Sequence, residues 1–130
     1  RPILASTEDA AWDKARGILA QLEQSPQKLP VAMEAEFSRR LLQLAEDGEV
    51  YDERLWTGLV KVSGASGNTT ALVGTPEQVA QAIVSYYDLG VQGVLIRGFD
   101  PFADAAEFGK ELIPRIRALV AERDRNAERR

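Results

Sequence analysis

The chain has 130 residues, 45% hydrophobic and 28% charged, enough for one domain with a buried core and unlike a disordered composition. Its formal net charge of -4 argues against attachment to nucleic acid by general electrostatics, and Arg123, Arg125, Arg129 and Arg130 are interleaved with Glu122, Asp124 and Glu128 as on a solvated helix end. Cysteine and histidine are both absent, which removes disulfides, thiol nucleophiles, Cys/His zinc sites, Ser-His-Asp triads and imidazole acid–base chemistry; no metal site is expected.

In chain order, Pro2 to Ala5 reads as a short strand. Ser6 or Thr7 caps a following helix, with Glu8 and Asp9 set against the dipole and Trp12, Ala15, Ile18, Leu19 and Leu22 as its apolar stripe; it stops before Ser25-Pro26. Residues 25–30 form a linker. A second helix, about Val31 to Ala45, carries Met33, Phe37, Leu41 and Leu44 and ends at Asp47-Gly48. The spacing of Leu55, Trp56, Leu59 and Val60 predicts a third short helical piece near 52–62, and the small side chains from Ser63 to Thr70 predict a loop.

The strongest local signals come next. Thr75 caps a helix beginning at Pro76, Gln78 completes a capping box, Val79, Ala82, Ile83 and Tyr86 recur at helical spacing, and Gly90 ends the helix. Val91 to Ile96 reads as a strand apolar on both faces, broken by Arg97-Gly98-Phe99-Asp100-Pro101. In an α/β protein that break is the carboxyl end of a strand, where ligands are usually bound. Asp104 to about Leu112 reads as helix, and Pro114 must kink or restart it.

This inventory predicts two short parallel strands among helices. Two apolar parallel strands with open edges cannot shield themselves, so the remaining strands are expected from a longer parent chain or from other copies, as a homo-oligomer. The start at Arg1, without an initiator Met and directly into a strand, fits the same expectation. No run of about eighteen apolar residues and no signal-peptide plan is present, so no membrane partner and a cytoplasmic location are expected.

Leu55-Trp56 with Gly58, the Gly/Ser-rich loop, Thr70-Ala71-Leu72-Val73-Gly74-Thr75-Pro76-Glu77-Gln78-Val79-Ala80, Leu89-Gly90-Val91 and Leu95-Ile96-Arg97-Gly98-Phe99-Asp100-Pro101 follow one another in an order that resembles the carboxyl-terminal part of bacterial luciferase-like flavin monooxygenases. The nearest subgroup is the alkanesulfonate monooxygenases, which Glu107 to Pro114 also resembles. The resemblance covers roughly residues 50–120 well and the opening strand and helix more loosely. It implies an α/β fold, the carboxyl-terminal segment of a TIM (β/α)8 barrel: residues 1–24 as the seventh strand and its helix, 25–70 as a helical insertion with a mobile loop, 71–122 as the closing helix-strand-helix, and 123–130 as a charged tail. It further implies oxidation of an organosulfonate or similar small substrate by O2, with reduced FMN supplied by a flavin reductase. A deazaflavin-dependent oxidoreductase of the same barrel and a non-catalytic, oligomerising interaction module stand as alternatives.

The resemblance nominates Arg97, Gly98 and Phe99 as a wall for the cofactor, with no catalytic residue assigned. Phe99 stands where the alkanesulfonate group has a tyrosine, so a stacking role carries over and proton donation does not. Arg97 can pair bidentately with sulfonate or phosphate, or form a structural salt bridge to Asp100 or Asp104. The loop from Ser63 corresponds to a lid that in the family brings an arginine; Ser63 stands at that position, beside Lys61, Gly64 and Gly67 as substrate-binding or lid candidates. Lys61 could replace the charge or end a helix in solvent. Tyr86, Tyr87, Trp12 and Trp56 read as packing residues.

Overall fold

The computed structural model describes residues 1–25, 36–65 and 70–129. In chain order come β1 (Pro2–Leu4), α1 (Glu8–Glu23), α2 (Glu36–Asp47), β2 (Val50–Tyr51), β3 (Leu55–Trp56), α3 (Val60–Ser63), β4 (Ala71–Gly74), α4 (Pro76–Asp88) and α5 (Pro101–Glu107). A π-helical turn (Phe108–Leu112) then leads into α6 (Ile113–Glu128). The linker, the expected start of the second helix with Met33, and loop residues 66–69 with Gly67 lie outside the described residues.

The local signals of α1 and α4 act as their chemistry dictates. The Thr7 hydroxyl accepts the Ala10 N–H, and Thr75 and Gln78 exchange both bonds of a capping box behind Pro76. Gly90, at φ 97°, turns the chain after α4. Pro114 does not break the last helix. The Ile113 N–H reaches back to the Phe108 carbonyl, a π-type bond, and this widened turn carries the chain into α6 with Pro114 near its start, where a missing N–H costs little.

The sheet corrects three expectations. It has four strands in the order β1-β4-β3-β2, with β1 and β4 parallel and the other pairs antiparallel, so the chain does not stop at two strands. Leu55-Trp56 is a strand and not part of a helix: its spacing fits both periods, and pairing with Ala71 and Leu72 decides. Finally, residues 91–96, expected as the second parallel strand, carry no strand pairing, and the parallel partner of β1 is Ala71–Gly74. Val91, Val94 and Leu95 are exposed as a result.

Both faces of the sheet are covered. Ile3, Ala71 and Val73 pack with Ala11 and Ala15 of α1, and with Trp56 and Leu59. Leu4, the next residue of β1 and therefore on the opposite face, packs with Val79, Ala80 and Ile83 of α4 and with Phe108 and Leu112. A barrel keeps its helices on the outside. Here α1 and α4 lie on opposite faces of the same strand pair, so the described residues form an open three-layer unit and not a closed barrel.

Trp56 anchors the first cluster. It is buried, meets Trp12 edge to face at 6.1 Å, and donates its indole N–H to Glu49 at 2.9 Å. A Cβ on Gly58 would stand 2.3 Å from the Trp56 ring, which explains a glycine there.

Candidate functional site

Because β1 and β4 run parallel, the unit has a carboxyl rim, where their chains enter α1 and α4, and an amino rim at the other end. The carboxyl rim is organised by a residue that sequence reasoning passed over. Arg54 belongs to the three-residue connection between β2 and β3, in which Asp52 and Glu53 hold left-handed φ values of 45° and 68°. Its largely buried guanidinium donates to Glu8 Oε1 at 3.1 Å and to the Val73 carbonyl at 3.4 Å. Gln78 donates to Glu8 Oε2 at 2.8 Å while its own carbonyl oxygen accepts the Thr75 N–H at 2.9 Å. These bonds, led by Gln78 and then Arg54, hold the Glu8 carboxyl below its usual pKa. Arg54 and Gln78 stand 46 and 70 residues from Glu8 in sequence, so no local motif announces them.

Carboxylates outnumber cations around this rim: Asp52, Glu53 and Glu77 line one hollow with Arg54, and Glu8 already answers the guanidinium. The arrangement fastens the β2–β3 hairpin to the starts of α1 and α4. It is a poor receptor for an anion.

The nominated residues Arg97, Gly98 and Phe99 lie beside β1 and not at the carboxyl end of a strand of their own, since residues 91–96 carry no strand pairing. The Arg1 guanidinium donates to the Gly98 carbonyl at 2.8 Å and lies 5.0 Å from the centre of the Phe99 ring. Phe99 packs beside the cluster that includes Ile3, and it lines a hollow of about 270 Å³ with Pro2, Ile3 and Ile18.

Of the three, two are already committed. A Cβ on Gly98 would come within 2.3 Å of Asp104, whose carboxylate accepts the N–H groups of Phe99 at 2.6 Å and Asp100 at 3.0 Å; the glycine makes room for that clamp. Phe99 serves the core and the cation–π contact. Arg97 remains: it is exposed and forms no ion pair among the described residues, so the salt bridge to Asp100 or Asp104 is not made. Asp100 instead caps α5 through Phe102 and Ala103. Arg97 stands near enough to Arg1 that, after burial, it is the second cause lowering the Arg1 pKa. Beside Arg97, Ile96, Gly98, Ala105 and Phe108 line an open groove of about 450 Å³.

The start of the nominated lid is likewise structural. Ser63 is buried and donates to the Val60 carbonyl at 3.1 Å, and Gly64, at φ 60°, closes α3. Lys61 is exposed. Tyr87 donates to Asp124 at 2.5 Å, and Tyr86 is half-buried, its phenol pKa raised by desolvation and then by Asp52. Among the described residues no group of three acidic side chains is placed to hold a metal, and no helix is long and apolar enough to cross a membrane.

The family described as luciferase-like monooxygenase matches residues 1–93. The match takes in every element from β1 to α4 and ends four residues before Arg97.

Proposed function

This chain belongs to the luciferase-like monooxygenase family, and on that premise we propose that it is part of a reduced-flavin-dependent monooxygenase that oxidises an organosulfonate or similar small substrate with O2. The observation that carries the reading is the family match across β1 to α4. FMN is the proposed cofactor, delivered by a flavin reductase, and the cytoplasm is the proposed location. The family is built on the TIM barrel and generally works with reduced flavin, which when bound supplies the activation of O2.

The described residues do not enclose such a cofactor. The groove beside Arg97 is open and the hollow beside Phe99 is small, against the 300–1,000 Å³ typical of enclosed small-molecule sites. What they supply is one wall. In the proposed assembly Arg97 offers an uncommitted cation to a phosphate or sulfonate, Phe99 offers a ring face, and Lys61 stands near the loop that begins at Ser63. The enclosing surfaces come from further barrel strands, whether of a longer chain or of other copies.

Titration with reduced FMN under anaerobic conditions tests this. The 130-residue chain alone is expected to show no saturable binding at micromolar concentrations, and the same sequence joined to the other barrel strands is expected to bind and to weaken on Arg97→Ala. Tight binding by the isolated chain, or binding indifferent to Arg97 in the complete barrel, would overturn the proposed role of this wall.

A further inference from the structure

Arg97 stands between anchored neighbours. Ile96 packs beside the cluster of Leu4, Val79 and Phe108, and Phe99 beside the cluster of Ile3 and Trp56; of residues 96–99 only Arg97 is exposed. The peptide that joins Gly98 to Phe99 is held at both ends. Arg1 donates to its carbonyl at 2.8 Å, and Oδ2 of Asp104 accepts its N–H at 2.6 Å. No peptide bond in the described residues is cis, so the two groups point in opposite directions and the plane is gripped from two sides. The same carboxylate oxygen accepts the Asp100 N–H at 3.0 Å.

The helix that follows does not need this grip. Asp100 caps α5, its own carboxylate accepting the N–H groups of Phe102 and Ala103. A capping box would return a side chain from the third helical residue to the cap, but that residue is Ala103 and has nothing to return. Asp104 makes the return from one position later and reaches past the cap to Phe99. That further bond is the shorter of its two, and it satisfies no helix end. Asp104 also forms no ion pair among the described residues, so its charge is spent on backbone donors. Gly98 holds no positive φ, and the three atoms nearest to a Cβ built there all belong to Asp104. Glycine and aspartate are matched to each other, and what they fix is the backbone beside Arg97.

We propose that Asp104 is a positioning residue for Arg97: by fixing the Gly98–Phe99 peptide it presents the guanidinium to the groove lined by Ile96, Ala105 and Phe108, set to receive a phosphate or sulfonate oxyanion. This inference rests on the flavin-monooxygenase reading above. A long side chain on a fixed backbone gives up less freedom when it captures a ligand.

Two measurements test it. In the 130-residue chain, Asp104→Ala is expected to release the Phe99 and Asp100 amides to hydrogen exchange while the Val73 amide stays as protected as in wild type. In the same sequence joined to the other barrel strands, anaerobic titrations with reduced FMN and with a short alkanesulfonate show which oxyanion Arg97→Ala weakens. For that ligand Asp104→Ala is expected to weaken binding about three- to tenfold, the ordering cost of one long side chain, and to cause no further loss once Arg97 is alanine. Asp104→Asn, which keeps an acceptor oxygen, is expected to fall nearer wild type, and Gly98→Ala to reproduce Asp104→Ala. Losses that add in the Arg97→Ala/Asp104→Ala double variant overturn the proposal, as does unchanged protection of both amides in Asp104→Ala. If Arg97→Ala weakens neither ligand, the reading of the wall itself fails and Asp104 has nothing to position; if Arg97→Ala is effective and the losses add, only the positioning role fails. Should Asp104→Ala not fold, Gly98→Ala carries the same cycle with Arg97→Ala.

Discussion

Residues 71–74 and 91–96 are both short apolar runs next to α4, yet one is a strand and the other is not. Ala71–Gly74 contains two glycine or alanine positions and looks like the approach to a helix, but it pairs with β1 on one side and β3 on the other and is almost entirely buried. Residues 91–96 have the better strand composition and no strand partner, and only Ile96, which packs beside the Leu4 cluster, has cover. β-propensity describes a side chain's fit to a pleated, half-buried surface; whether such a surface exists depends on residues far away in the sequence.

The sharpest way to break that contrast is to charge both runs. Val73→Asp buries an unpaired carboxylate among Ile3, Trp56 and Leu59, and is expected to cost on the order of 4 kcal/mol or more and to abolish the cooperative unfolding transition. Leu95→Asp is expected to shift stability by no more than about 0.5 kcal/mol, because the side chain is already in water. Urea unfolding followed by tryptophan fluorescence measures both, and equal losses would show that residues 91–96 belong to the core after all.

A smaller effect is expected where β3 joins the paired region. Gly58→Ala drives a methyl group into the Trp56 ring and should cost about 1–3 kcal/mol, visible as a lower urea midpoint with an altered tryptophan spectrum. An unchanged midpoint would mean that the ring yields freely.

A pH-dependent effect is expected at the carboxyl rim. Glu8 titrates below the ordinary carboxylate range in the folded chain, so its contribution is complete above that range and is lost as pH falls through the depressed pKa. Arg54→Met should therefore lower Tm by a few degrees at neutral pH and by progressively less as pH falls through the depressed pKa of Glu8, below which the carboxylate is protonated in either protein. A difference in Tm that is independent of pH would place the role of Arg54 in packing alone.

What could be read from the sequence follows the range of the interactions. The caps of α1 and α4 lie within three residues of the groups they satisfy, and both were legible. Trp12 and Trp56 were legible as anchors because large aromatic side chains at stripe positions bury themselves in almost any packing. Three features were hidden: the β1–β4 pairing, the hub formed by Glu8, Arg54 and Gln78, and the clamp of Asp104 that requires Gly98. The first two join distant parts of the chain. The clamp spans only five residues but forms because residues 91–96 stay unpaired and the turn folds on itself. Arg97 was legible as a cation at a strand break; its lack of a partner became visible only once Asp100 and Asp104 were seen to be engaged elsewhere.

Amide hydrogen exchange on the monomeric chain tests the contrast between the two runs most directly. Val73 is expected to exchange only through global unfolding, while Val94 and Leu95, both exposed, exchange near the rate of an unstructured peptide. Protection of Val94 and Leu95 matching that of Val73 would contradict the contrast, because it would mean that these residues find a strand partner within a single copy of the chain.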